Sequence, residues 1–326
     1  MIAKPDIVRA PNHLGDVVLA LPALRAAAAD VLVLASLAPL LQLAGLPGRI
    51  IPMTRGAFGA IAAARALRAA RYQRGVLLPP SFSSALIFAL GGVASRRGTD
   101  TDGRRLLLTD AVTGDSVGSR SVGSDSMGSD SMGSLRGLHR AAQYMVLVGA
   151  AVAEGAAPIP RLDIPRPKHE GRVVGVFPGG NARSRRWEPA RFAELVRRLA
   201  KRGDRIVVFG GPAEGELTAR VAGDVAVDLG GQTDLAQLAA GIASCDLLVT
   251  NDTGPLHLAG AVGTPTVSLW GAGDPAVTGP LGASHRMLRH PELDCVPCTK
   301  NDCPLAVDRY RCLTLITVDD VEAAIQ

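Results

Sequence analysis

The sequence predicts an α/β protein built from two successive parallel-sheet units. Three observations carry this. Short apolar runs alternate with helical stretches through both halves of the chain, the pattern of strands joined by crossover helices. The length, 326 residues, suits two domains of roughly 150 residues each. A basic stretch punctuated by Pro158, Pro160, Pro165 and Pro167 divides the chain near its middle and reads as a linker. The domains are therefore expected at 1–160 and 161–326.

In the first half, Ile7-Val8-Arg9-Ala10 reads as a strand and Gly15 to Ala29 as the helix that follows it. Val31 to Ala35 is a second strand, and Gly75-Val76-Leu77-Leu78 a later one that stops at Pro79-Pro80. Between Thr113 and Ser134 a five-residue Ser-x-Gly-Ser near-repeat takes over. Text of this kind buries too little apolar surface to offset the entropy of ordering it, so a disordered surface insertion is expected at 113–134. A helical pattern returns from Leu135 to Val152. In the second half, Val173 to Phe177, Arg205 to Phe209, Asp246 to Val249 and Thr266 to Leu269 read as strands. Pro189 to Lys201 reads as a helix with proline in its first turn. Two such units facing one another would leave a cleft at the carboxyl ends of their strands, where open sheets bind ligands.

Composition narrows the function classes. Hydrophobic residues are 47% of the chain but aromatics only 3%, so the cores are expected to be small and aliphatic. A net charge of +5 is too modest to point to nucleic acid and suits an anionic small substrate or an acidic membrane surface. Met1 to Asp6 does not read as an export signal. The apolar run from Val31 to Gly45 is interrupted by Pro39 and Gln42 and falls short of the ~20 residues that span a bilayer. A cytoplasmic protein is expected.

Four segments carry candidate chemistry. Pro11-Asn12-His13-Leu14-Gly15-Asp16 follows the first strand; Asp16 reads either as a helix N-cap or as a general base. Pro178-Gly179-Gly180-Asn181-Ala182-Arg183-Ser184-Arg185-Arg186-Trp187 joins a strand to a helix. Its glycines let amides approach an anion and its arginines add charge-assisted donors; the bland alternative is a solvated basic loop. The Gly-Lys-Ser/Thr ending of a P-loop is missing. Asn251-Asp252-Thr253-Gly254-Pro255-Leu256-His257 sits at another strand-to-helix junction, where amides of Thr253 and Gly254 suit a phosphate. Asp252 would orient a sugar hydroxyl or a neighbouring basic group; His257 faces either the ligand or the core. Finally, Cys295, Cys298, Cys303 and Cys312 form a cluster open to three readings: a structural metal, reduced core thiols, or a redox disulfide.

Taken together and in order, these pieces resemble the ADP-heptose:lipopolysaccharide heptosyltransferases of glycosyltransferase family 9, the heptosyltransferase II branch most of all. The resemblance rests on Leu14-Gly15-Asp16 with Leu21-Pro22-Ala23-Leu24, on Pro80 to Ala85, and on Arg97-Gly98 with Leu106 to Asp110. Further along it rests on Pro178-Gly179, Arg185-Arg186-Trp187, Gly210-Gly211-Pro212, Asn251 to Gly254 with His257-Leu258-Ala259, and the cysteine cluster.

The resemblance implies a GT-B architecture, two Rossmann-like domains facing across a cleft. It implies inverting transfer from ADP-heptose to an anionic glycan or glycolipid acceptor, with no metal at the catalytic centre; peripheral contact at the inner membrane is left open by the absence of a spanning segment. Asp16 would be the base. Gly179, Ser184, Arg185, Glu214, Asp252, Thr253, Gly254 and His257 would bind the donor, and Asn12, Ser81, Ser84, Arg97 and Arg104 the acceptor. Arg185 departs from the family pattern, which has a lysine there; a planar fork replaces a point charge. Two other classes compete: a nucleotide-sugar epimerase of similar build, and a binding module that has lost catalysis.

Overall fold

The computed structural model describes residues 4–113, 135, 137–153 and 156–325. The Gly/Ser segment expected as an insertion lies, Thr113 apart, outside the described residues. The chain divides into two units, Met1–Ile159 and Pro160–Gln326.

The first unit runs β1 (Ile7–Arg9), α1 (Leu14–Ala27), β2 (Asp30–Leu34), α2 (Ala38–Leu43), β3 (Ile50–Met53), α3 (Gly56–Ala70) and β4 (Arg74–Leu77). It continues with α4 (Phe82–Leu90), β5 (Ser95–Thr99), β6 (Asp110–Val112) and α5 (Arg140–Leu147). Its six strands lie in the order β3-β2-β1-β4-β5-β6, and every pairing is parallel. The strands are apolar runs because both faces of a parallel sheet are covered. The core is aliphatic as expected: α1 buries Val17, Val18, Leu19, Ala20, Leu21, Ala23, Leu24 and Ala27, and α5 packs against it.

Several boundaries shift from the sequence reading, mostly by a residue or two, and two of the differences have a visible cause. Helix α1 ends two residues before Ala29 because Ala28 turns left-handed at φ 51°, a conformation alanine does not advertise. The helical pattern from Leu135 to Val152 yields helix only over Arg140–Leu147. The His139 ring starts it by accepting from the Ala141 amide, and Gly149 at φ +76° follows its end, the usual way a glycine closes a helix.

The second unit runs β7 (Val173–Phe177), α6 (Pro189–Lys201), β8 (Arg205–Gly210), α7 (Gly215–Ala222), β9 (Val227–Gly230), α8 (Leu235–Ala243) and β10 (Leu247–Asn251). Then come α9 (Gly254–Val262), β11 (Thr266–Leu269), α10 (Pro275–Thr278), β12 (His285–Leu288), α11 (Arg311–Thr314) and α12 (Val318–Ile325). Strand order is β12-β11-β10-β7-β8-β9, again wholly parallel. Its core gathers Val174, Val176, Trp187, Phe192, Leu195 and Val249, with Trp187 and Phe192 edge to face at 4.9 Å.

Each unit is therefore a doubly wound, Rossmann-like sheet, the pair of which makes the GT-B architecture. In each, winding reverses direction between the first strand and the fourth: β1 beside β4, and β7 beside β10. Loops leaving those two strands diverge to opposite faces and open a crevice at their carboxyl ends. The fold thus singles out the loops after β1 and β4, and after β7 and β10.

Candidate active site

In the second unit, the loop after β7 holds Gly179 to Arg186 and the loop after β10 holds Asp252 and Thr253. Asn251, the last residue of β10, ties them together. Its side chain is fully buried. Its Nδ2 donates to the carbonyls of Pro178 at 2.8 Å and Gly179 at 3.0 Å, and its Oδ1 accepts the Trp187 amide at 3.0 Å. Trp187 is anchored in turn, its indole N–H donating to the Ile316 carbonyl at 2.9 Å. The basic loop is thus a held structure rather than a solvated one.

Arg185 and Asp252 meet across the two loops, Nε to Oδ2 at 3.4 Å. The contact is an ion pair without hydrogen-bond geometry, and both atoms are buried without a hydrogen-bond partner. Asp252 is only 3% exposed. Burial pushes its carboxyl up to about 6, with Arg185 pulling the other way. The backbone at Gly273 crowds the same carboxylate: a Cβ there would lie 2.1 Å from Oδ2. Unsatisfied buried polar atoms are uncommon in native proteins; here two of opposite charge face each other at the switch point of the sheet.

Helix α9 starts beside them. Thr253 is its N-cap but makes no side-chain cap bond, and Pro255 occupies its first turn. The first amides of a helix lack intrahelical partners and favour an anion. Arg185 and this helix start are what a diphosphate needs: a fork of donors and a set of amides. His257 is buried in α9.

Glu214 and Ser184 brace this region. The Glu214 carboxylate accepts the amides of Gly180 at 2.9 Å and Gly211 at 2.7 Å, strapping together the loops after β7 and β8. Gly179 has to be glycine for this, because a Cβ would fall 2.1 Å from Glu214 Oε1. Ser184 is buried; its Oγ donates to the Lys300 carbonyl at 2.5 Å and its amide to the Asn301 carbonyl at 3.2 Å. The backbone bond is one of the contacts between the loop and the cysteine segment.

That segment brings Cys295, Cys298, Cys303 and Cys312 around one small pocket with Ser184 and Tyr310. All four are free thiols. Burial, then the neighbouring cysteines, pushes the Cys312 thiol up to about 11. A thiolate set would suit zinc, but among the described residues no three His, Cys, Asp or Glu side chains are placed to hold a metal ion. No step below uses a metal.

In the first unit, Asp16 lies in the first turn of α1, whose N-cap is His13. Asp16 is therefore not the helix cap. Its Oδ1 accepts a hydrogen bond from the Tyr144 hydroxyl at 3.2 Å. Tyr144 is buried on α5; burial, then the Asp16 charge, holds its hydroxyl protonated well above the ordinary phenol range. The bond fixes one carboxylate oxygen. Asn12 is held by Arg9, whose Nη2 donates to its Oδ1 at 2.5 Å. Arg9 is itself buried, and burial, reinforced by Arg55, lowers its guanidinium to about 10.

After β4, Ser81 occupies the N-cap position of α4 without a side-chain cap bond, and its Oγ lies 2.7 Å from that of Ser84. Arg97 and Arg104, expected to face an acceptor, are buried at 8% and 0% exposure. Arg97 donates to Leu147 O at 3.0 Å and to Asp110 Oδ2 at 2.5 Å. Arg104 donates to Pro79 O at 2.6 Å and to Thr99 O and Oγ1 at 2.8 Å. The Arg104 guanidinium holds the loop after β4 from behind, while Arg97 ties β5 to β6 and to the end of α5. Tyr144 and Arg9 are site residues that the sequence reading left out, and Asn251 stood in a quoted segment with no role of its own.

Comparison with known proteins agrees with this layout. The family model described as glycosyltransferase family 9 (heptosyltransferase) matches residues 148–307, both second-unit loops included. Lipopolysaccharide heptosyltransferase 2 of Salmonella typhimurium is 31% identical over 235 residues, 68% of this chain and 66% of that protein. The chain belongs to glycosyltransferase family 9. The Escherichia coli lipopolysaccharide heptosyltransferase 2 is 29% identical over 236 residues, with the same coverage of 68% and 66%; the family 9 chain is thus matched to 66% of the length of these two relatives. Among solved structures, E. coli ADP-heptose lps heptosyltransferase II superposes with a TM-score of 0.76 at 23% identity, covering 98% of this chain and 96% of that one. A family 9 glycosyl transferase from Veillonella parvula gives 0.75 at 21%, covering 99% and 97%. At these identities the structural likeness is one of fold.

Proposed function

We propose that this family 9 protein is an inverting glycosyltransferase that moves a heptose from ADP-heptose to a lipopolysaccharide inner-core acceptor, or a related anionic glycan, on the cytoplasmic side of the inner membrane. The observation that carries the reading is the Arg185–Asp252 pair beside the uncapped start of α9. The named relatives, lipopolysaccharide heptosyltransferases 2 of two bacteria, support the choice of sugar and acceptor.

The two halves of the chemistry are assigned to different units. In the second unit, Arg185 and the amides at Thr253 and Gly254 take the donor diphosphate, and Asp252 keeps Arg185 aimed. In the first unit, Asp16 takes the proton from the acceptor hydroxyl as its oxygen attacks the anomeric carbon. The bond from that carbon to the diphosphate oxygen breaks, ADP leaves with the electron pair, and the configuration inverts. Charge developing on the leaving diphosphate is met by preorganised donors, the largest single contribution in reactions of this type. Tyr144 holds Asp16 in one rotamer, and Asn12 and Ser81 stand on the acceptor side.

The test is product stoichiometry. Incubation with ADP-heptose and a heptose-bearing inner-core acceptor should release one ADP per acceptor glycosylated. Turnover of a different nucleotide sugar in place of ADP-heptose would overturn the donor assignment. ADP release at the same rate with no acceptor present would overturn the transferase assignment.

A further inference from the structure

A buried cation without a counter-ion lies beneath the acceptor side of the first unit. Arg9 ends β1, the strand at which the winding of the sheet reverses, and it is 2% exposed. Buried charges are normally paired with an opposite one. Among the described residues no carboxylate acts on Arg9; the charge that does is a second cation, Arg55, exposed just past the end of β3. The Arg9 Nε is buried with no hydrogen-bond partner. The sequence offers little to neutralise the pair, since it has no aspartate or glutamate between Asp30 and Asp100.

What the guanidinium does hold is the loop that leads to Asp16. Its Nη1 donates to the carbonyls of Ala10 at 2.6 Å and Leu32 at 3.2 Å, clamping the start of that loop to β2. Its Nη2 donates to Asn12 Oδ1 at 2.5 Å. A guanidinium has N–H donors and no acceptor, so the Asn12 atom that it touches has to be the carbonyl oxygen. The amide nitrogen is thereby turned the other way. Asn12 is half-buried, and among the described residues Oδ1 is its one side-chain atom with a partner. The dipoles run in one direction: buried cation, amide oxygen, amide N–H, open loop. Hydrogen bonds in line polarise one another, which makes Nδ2 a stronger donor than a free amide.

We propose that Asn12 Nδ2 donates to an anionic oxygen of the acceptor, on a carboxylate or phosphate next to the attacking hydroxyl, and that Arg9 is the positioning residue that turns the amide outward and strengthens it. This deepens the transferase reading and rests on it. Arg9 itself does not meet the substrate, because burial keeps it from the loop surface. A long charged side chain in place of Asn12 would lose rotamer freedom on binding. Here the charge is already fixed on two backbone carbonyls, and only a short amide reaches the ligand. An anion bound at Asn12 also supplies the counter-charge that Arg9 and Arg55 lack.

The test is steady-state kinetics of the full chain with ADP-heptose and a heptose-bearing inner-core acceptor. Asn12→Asp keeps an oxygen on Arg9 but replaces the N–H donor with a charged oxygen. Its acceptor KM should rise at least about tenfold while donor KM stays at the wild-type value. Its melting temperature should rise by roughly 2–4 °C, because the buried guanidinium gains a counter-ion. A merely structural role would not raise stability and acceptor KM together. Arg9→Met should raise acceptor KM too, and the Arg9→Met/Asn12→Ala pair should be no worse than Asn12→Ala alone, since Arg9 acts through Asn12. Removing phosphate from the acceptor separates the two sources, both within the proposal. The Asn12→Asp penalty vanishes if the oxygen belongs to a phosphate and persists if it belongs to a carboxylate. A wild-type acceptor KM in Asn12→Asp, or additive losses in the double variant, overturns the proposal and leaves the transferase reading standing. A wild type that transfers the sugar to no such acceptor overturns that reading, and the proposal with it.

Discussion

Replacing Asp252 with asparagine should make the protein more stable and less active at once. Asp252 is 3% exposed, and burial lifts its carboxyl from the ordinary 3.8 to about 6. A carboxyl whose folded value lies above its unfolded one binds its proton more tightly in the native state. Native stability therefore falls as pH rises from about 4 through 6, and above 6 the charged form carries the whole cost. Converted at about 1.4 kcal/mol per pKa unit, the rise amounts to roughly 3 kcal/mol. Asparagine carries no charge at any pH. The partner left behind, Arg185, is one-third exposed, although its Nε is buried. Asp252→Asn should then exceed the wild type in stability by up to about 3 kcal/mol at pH 8, and the gap should close between pH 6 and 4. Urea denaturation at a series of pH values reads this directly, and turnover measured on the same samples should fall as Arg185 loses the group that aims it. A variant less stable than the wild type at pH 8, by the same margin at pH 5, would refute the reasoning. It would mean that the ionised carboxylate is held by favourable contacts rather than stranded.

Three further outcomes follow from the site. Tyr144→Phe removes the hydroxyl that holds Asp16 at 3.2 Å; loss of a hydrogen bond to a charged group, about 1.5 kcal/mol, should lower kcat about tenfold while calorimetry shows donor affinity unchanged. Asn251→Ala removes the three hydrogen bonds to Pro178, Gly179 and Trp187. With those buried groups left unpaired, chemical denaturation should show a loss of about 3 kcal/mol, and donor KM should rise. Gly179→Ala sets a methyl 2.1 Å from Glu214 Oε1 and should displace the strap from Gly180 and Gly211. Donor KM should rise, and adding Glu214→Ala should recover part of the loss, a coupling that a double-mutant cycle measures.

The strands of the second unit were legible because parallel strands are continuous apolar runs. Val173–Phe177 and Thr266–Leu269 match the reading at both ends, as does helix Pro189–Lys201 with its initial proline. The loop after Val173–Phe177 was legible too, since a glycine-rich basic turn between strand and helix has few other uses. What the sequence concealed is of another kind. Tyr144 lies 128 residues from Asp16, and nothing in either neighbourhood announces the pairing. Arg97 and Arg104 read as surface charges, as arginine usually does, yet both are buried on carbonyl, hydroxyl or carboxylate oxygens. Arg9 did leave a signal, a lone arginine inside the apolar strand Ile7–Arg9. Such a residue is either exposed at an edge or buried for a purpose, and β1 lies at the centre of its sheet. Asp16 taken alone read first as a cap and second as a base; only the helix start at Leu14 removes the first.

The most direct test of the account is single-turnover heptose transfer from ADP-heptose to a heptose-bearing inner-core acceptor by the wild type and by Asp16→Asn, with donor binding measured alongside. The account predicts that the variant binds ADP-heptose as the wild type does and transfers the sugar at least about a hundredfold more slowly, as removal of a general base requires. Transfer by the variant at the wild-type rate would contradict it.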